Sequence, residues 1–197
     1  MNTHQRRLSG LLRHPASDEL LRLRLSQVVG REREIAAIRD LIERQAAAGG
    51  YVLISGGPGA GKSCLLAALV GGDGPERAPC HFVALRPAPG YQLEILQTLV
   101  ARLALKHELA DGYVPLTSYP ALRDYFAALL QSIAARGRRE VIYIDGLDQL
   151  PADAAGQRDL SFLPATPPPG IVLVLSARPE ADGAALALAA PALRYDV

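Results

Sequence analysis

Ser55-Gly56-Gly57-Pro58-Gly59-Ala60-Gly61-Lys62-Ser63 carries the pattern G-x-x-x-x-G-K-[ST], and its surroundings decide the fold. The apolar run Tyr51-Val52-Leu53-Ile54 stands before it, and the helix-compatible run Cys64-Leu65-Leu66-Ala67-Ala68-Leu69-Val70 follows. A buried strand therefore delivers the loop and a helix leaves it. Glycines at these places let backbone N–H groups close around phosphate oxygens with no Cβ in the way. The helix N-terminus adds its positive end and unpaired donors. Residues 56–64 (Gly56, Gly57, Pro58, Gly59, Ala60, Gly61, Lys62, Ser63 and Cys64) are the candidate phosphate-binding set. Within it, Lys62 is expected to pair with the β- and γ-phosphates and the Ser63 hydroxyl to ligate Mg²⁺. Average residue usage gives such a match by chance in roughly one chain in a hundred of this length.

The 197 residues suit one ordinary domain with a real core. With 49% hydrophobic and 21% charged residues the composition is that of a soluble globular protein. A net charge of +1 gives no case for a general nucleic-acid or membrane surface. Cys64 and Cys80 have neither metal-site spacing nor a disulfide framework, which suits reduced thiols and a cytoplasmic location. His4, His14, His81 and His107 lack the i, i+4 pairing of a zinc helix. No run is long enough for a membrane span, and the N-terminus has no continuous apolar stretch of the secretory kind.

Residues 1–26 read as a partly flexible lead-in, polar and basic to His14-Pro15 and then too dense in leucine to choose between helix and strand. Residues 27–197 form the core domain. A helix opens at the acidic residues after Gly30, with Ile35, Ile38, Leu41 and Ile42 on its apolar face, and stops at Gly49-Gly50. Beyond the loop and its helix, Gly71-Gly72-Asp73-Gly74-Pro75 reads as a turn and Cys80 to Leu85 as a second strand. Helices follow over about 92–106 and 120–135, then a third apolar run, Val141-Ile142-Tyr143-Ile144-Asp145. A proline- and alanine-rich connection spans 151–170 and Ile171 to Leu175 is a fourth strand. A weak alanine-rich helix (about 183–190) precedes a last strand, Leu193 to Val197. Strands apolar throughout belong in a parallel sheet covered on both faces, with the helices as crossovers. The fold class is α/β: a three-layer, doubly wound, mostly parallel sheet of about five strands.

In such sheets ligands sit beyond the carboxyl ends of the strands. Three strands end in polar chemistry there: Ser55 with the loop, Asp145, and Ser176 with Arg178. Asp145 is a candidate Mg²⁺ ligand beside Ser63, the alternative being a cap or turn residue. Asp148 is a candidate base for the attacking water, or else a solvated turn acid. Arg178 is a candidate sensor of γ-phosphate charge.

Taken together, the phosphate loop, Ile144-Asp145-Gly146-Leu147-Asp148-Gln149 and Leu175-Ser176-Ala177-Arg178-Pro179 resemble the STAND class of AAA+-related P-loop NTPases, in its NACHT and telomerase-associated-protein-like branches. Val29-Gly30-Arg31-Glu32 is similar to the V-G-R-E segment of these proteins, which implies that Val29 and Arg31 lie near the adenine. Cys80-His81-Phe82-Val83 resembles the H-F strand of the same branch. The resemblance implies a P-loop NTPase fold, ATP or ADP with Mg²⁺ as ligands, and a signalling switch that self-associates in its ATP state. It also implies slow hydrolysis by in-line attack of water, with Lys62, Asp145 and Arg178 stabilising the developing charge. Two departures stand out. Gln149 occupies the place of a second acid, and the chain stops at the fifth strand, where relatives continue into a helical lid and a winged-helix domain. The expectation is a fragment of a longer protein, or a core completed by a partner. The rival readings are a non-hydrolysing nucleotide-binding scaffold, a small-molecule kinase and a DNA-handling ATPase. The single arginine of 151–170, Arg158, speaks against the kinase and the net charge against the DNA-handling reading.

Overall fold

The computed structural model describes residues 15–74, 78–109, 116–179, 188 and 192–197. Over these the elements are α1 (Pro15–Leu25), α2 (Glu32–Ala46), β1 (Gly50–Ser55), α3 (Lys62–Asp73), β2 (Cys80–Phe82), α4 (Tyr91–Lys106), α5 (Tyr119–Ala135), β3 (Glu140–Asp145), a 3₁₀ turn (Leu147–Gln149), β4 (Ile171–Ala177) and β5 (Ala192–Asp196). The strands form one sheet in the order β2-β3-β4-β1-β5, and every neighbouring pair is parallel. Because all strands point the same way, the ends of β1, β3 and β4 lie side by side along one edge.

The sheet is buried on both faces. Alternate residues of β1 divide between two cores: Tyr51 and Leu53 pack with α4 and α5, Val52 and Ile54 with α1, α2 and α3. This explains strands that are apolar throughout, since each side chain meets a helix layer whichever way it points. Leu122, Phe126, Leu129, Leu130 and Ile133 on α5 are buried, as are Ile38, Leu41 and Ile42 of the apolar face expected on α2.

Two sequence readings need adjusting. The turn expected from Gly71 is helix as far as Asp73, and only Gly74 leaves it. Tertiary bonds hold that last, glycine-weakened turn: the Asp73 carboxylate accepts from Arg39 Nη1 at 3.1 Å and from the Tyr143 hydroxyl at 2.5 Å. The second strand ends at Phe82 rather than Leu85. Its partner β3 ends at Asp145, whose carbonyl takes a last bond from the Val83 N–H, and Leu85 is 77% exposed. Within the 151–170 connection, Leu160 and Phe162 are buried in the α4–α5 core. The expected lead-in at 1–14 and nearly all of the alanine-rich helix at 183–190 lie outside the described residues.

Residues 15–25 resolve the remaining ambiguity, forming a helix bound to the body of the domain. Ser17 Oγ accepts the Phe82 N–H at 2.8 Å, Asp18 pairs with Arg102 Nη2 at 2.8 Å, and Leu21 is buried among the α1–α2–α3 core residues. Truncating Leu21 to Ala is therefore expected to destabilise the whole domain by about 2–3 kcal/mol, read as a lower urea midpoint at unchanged slope. A detached lead-in gives no shift.

Candidate functional site

The site forms where β1, β3 and β4 end. After Ser55 the chain rises into the loop, and α3 begins at Lys62. Gly61, just before the helix, has φ +96°, a left-handed value that favours glycine. A Cβ on Gly61 would stand 2.6 Å from Arg31 Nη2, the end of a side chain that would have to shift. The first helical bond runs from the Leu65 N–H to the Gly61 carbonyl at 2.9 Å. The N–H groups of Lys62, Ser63 and Cys64 thus begin the helix with no carbonyl a turn behind them inside it, the arrangement that receives phosphate.

Lys62 is buried, and its ammonium donates to the carbonyls of Gly56 at 2.6 Å and Gly57 at 3.0 Å. The loop thus carries a full positive charge folded into its own curve. Ser63, one residue on, hydrogen-bonds the carboxylate of Asp145. Asp145 itself is held by a relay from the next strand: the Gly146 N–H donates to Ser176 Oγ at 2.8 Å, and that hydroxyl donates to Asp145 Oδ1 at 2.5 Å. Burial pushes the Asp145 carboxyl up from its ordinary value, against the two serine hydrogen bonds and the charge of Arg24; the nearby Asp148 adds to the rise. A serine hydroxyl and a carboxylate bonded to one another are hard oxygen donors of the kind Mg²⁺ takes, so the residues present fit that ion.

Asp148 and Arg178 meet across the site. Arg178 Nε lies 2.8 Å from Asp148 Oδ2; the Asp148 side chain is 6% exposed and that of Arg178 44%. Gln149 Nε2 donates to the same carboxylate oxygen at 2.5 Å. Asp148 is therefore neither solvated nor free, as the turn-acid alternative would have it. Arg158, on the 151–170 connection, fixes the backbone beneath by donating to the carbonyls of Asp148 at 3.0 Å and Leu150 at 3.2 Å.

The two residues of the V-G-R-E segment fare differently. Val29 is 84% exposed. Arg31 reaches the loop itself, its Nη2 donating to the Ala60 carbonyl at 2.9 Å while Nη1 bonds Glu34 at 3.2 Å. Cys64 makes a long contact, Sγ to Gln27 Oε1 at 3.8 Å. The structure thus brings the candidate residues Lys62, Ser63, Asp145, Asp148 and Arg178 together near the loop backbone, with Arg31 bonded to the loop. Sequence reasoning missed the orienting part of Ser176, the support from Arg158 and the nearness of Arg24. Ser176 alone left a signal, a hydroxyl at the end of a wholly apolar strand.

No helix among the described residues is long and apolar enough to cross a membrane, and no described group of three or more His, Cys, Asp and Glu could hold a metal by itself. No curated protein matches the chain. The AAA ATPase domain family matches it over residues 27–175, from just before the V-G-R-E segment to Leu175 within β4. That span holds the loop, its lysine and serine, Asp145 at the end of β3 and Asp148 just beyond it; the chain belongs to the AAA ATPase domain family.

Proposed function

We propose that the chain is an ATP-binding switch with slow Mg²⁺-dependent hydrolysis, of the STAND and NACHT kind, whose two nucleotide states differ in self-association or in docking to further domains. The observation that carries this reading is the Asp148–Arg178 ion pair beside the Ser63–Asp145 bond. The group suited to activate water and the group suited to meet γ-phosphate charge hold each other in the ligand-free chain. A γ-phosphate competes for the exposed guanidinium, and Asp148 is released when it wins. ADP has nothing to offer Arg178, so the pair stays closed. A bound Mg²⁺ would neutralise phosphate charge, with Ser63 and Asp145 to hold it.

Hydrolysis is slow in this reading because Asp148 stays tied to Gln149 even after Arg178 leaves, and Gln149 cannot itself act as a base. The same bond favours the second reading, a scaffold that binds ATP and does not turn it over. Calorimetric titration with ATP and ADP, alongside phosphate release followed for hours, separates the two. In Arg178→Ala the affinity for ATP should fall about tenfold towards that for ADP, with ADP binding unchanged. Equal losses for both nucleotides would count against a γ-phosphate sensor. Tight ATP binding with no phosphate released would leave the scaffold.

A further inference from the structure

Helix α1 lies before the family match, which begins at residue 27, yet it reaches the phosphate site. Its first turns are fastened by the Ser17, Asp18 and Leu21 contacts, so its last turn is held in place. From that turn Arg24 Nη1 donates to Gln27 Oε1 at 3.1 Å, and Gln27 Oε1 is the atom that Cys64 Sγ contacts at 3.8 Å. Cys64 adjoins Ser63. The Arg24 guanidinium is thus one glutamine away from the first turn of α3, and it makes no ion pair among the described residues. Its positive charge also acts on Asp145, favouring the carboxylate.

We propose that Arg24 is a phosphate-binding residue supplied in cis by α1, meeting the polyphosphate at the Ser63 and Asp145 side of the loop. The proposal rests on the nucleotide-binding reading above. A half-buried guanidinium with no ion pair among the described residues, one glutamine from the first turn of α3, gains a partner when a polyanion arrives there. It adds a positive side chain to Lys62, Arg178 and the loop-bound Arg31. A plainer account exists: arginines in a last turn complement the negative end of the helix dipole. Arg22 shares that turn and is exposed, so it answers to the dipole alone.

The test is titration of Mg²⁺–ATP into the wild-type chain, Arg24→Ala, Arg24→Gln, Arg24→Lys and Arg22→Ala, with Lys62→Ala as reference. Arg24→Ala and Arg24→Gln should each weaken binding about tenfold and make it less sensitive to salt, while Arg24→Lys recovers part of the loss. Arg24→Gln keeps a polar group near Gln27, and melting curves show whether either variant is unfolded. Arg22→Ala should bind as the wild type does. Wild-type affinity in the folded Arg24→Gln, or an equal loss in Arg22→Ala, would overturn the assignment while Lys62→Ala still fails to bind. A wild-type chain that binds no ATP would overturn both this inference and the function it rests on.

Discussion

Lys62→Ala is expected to abolish ATP binding, weakening it at least a hundredfold. The ammonium is the one full charge inside the curve of the loop, and it is already desolvated, donating to Gly56 and Gly57 at 2.6 and 3.0 Å. Phosphate oxygens entering the loop exchange with those carbonyls for the same cation. The bond formed is charged on both sides and shielded from water, so its loss is worth about 3 kcal/mol or more. Arg31, Arg24 and Arg178 stand around the loop rather than in it, and none replaces the missing charge. Lys62→Arg should fail nearly as badly, because a planar fork does not fit a cage built on a compact ammonium. The fold should survive either change. In Lys62→Ala two loop carbonyls lose a donor, that of the buried Gly56 and that of the part-exposed Gly57, so the cost to stability is about 1–3 kcal/mol. Calorimetry with ATP and ADP, paired with a melting curve on the same sample, checks both halves. A folded Lys62→Ala that binds ATP within tenfold of the wild type would mean that the loop is not the phosphate site.

That prediction needs nothing beyond the sequence, and the reason is physical. A phosphate loop is local chemistry: the spacing of glycines, a lysine and a serine between a strand and a helix is set by backbone geometry within nine residues. The sheet was legible for a related reason, since four runs apolar throughout are hard to place except as parallel strands buried on both faces. What escaped reading lies in contacts across long stretches of chain. Leu20, Leu21, Leu23 and Leu25 give no single period, because α1 is anchored by Ser17 and Asp18 as much as by its leucines. Gly71 and Gly72 signal a turn by local rules, yet Asp73 is tied to Arg39 and to Tyr143 and the helix continues. Asp148 looks like any turn acid until Arg178, thirty positions on, is seen to close on it. Local rules place the loop, and tertiary contacts place the residues around it.

Asp145→Asn should stop Mg²⁺-dependent hydrolysis and, in the absence of nucleotide, make the chain more stable. The two effects have one cause. Asp145 is a buried carboxylate whose carboxyl titrates above its ordinary value of 3.8, burial being the largest reason. A carboxyl raised on folding contributes its stability in full below the unfolded value and loses it as pH rises through the folded one. At neutral pH the ionised group is therefore a cost to the ligand-free fold. Asparagine is close in shape, keeps a carbonyl oxygen for the hydroxyl of Ser176 or Ser63, and carries no charge to desolvate. The gain is expected to be about 1 kcal/mol at pH 7–8, roughly 2–4 °C in melting temperature, and should shrink as the pH is lowered and the wild-type carboxyl protonates. Phosphate release should fall about a hundredfold or more, because the charge proposed to hold the divalent cation is gone. Adding Mg²⁺–ATP should then reverse the order of the melting curves, since the wild type gains ligand stabilisation that Asp145→Asn gives up. Melting curves across pH, with and without Mg²⁺–ATP, read all of this. A variant less stable than the wild type at pH 8 without nucleotide would show that the Ser176 and Ser63 bonds outweigh the burial of charge. Retained Mg²⁺-dependent hydrolysis would remove Asp145 from the metal site. Stability surrendered at a buried acid is the expected mark of a residue kept for its chemistry.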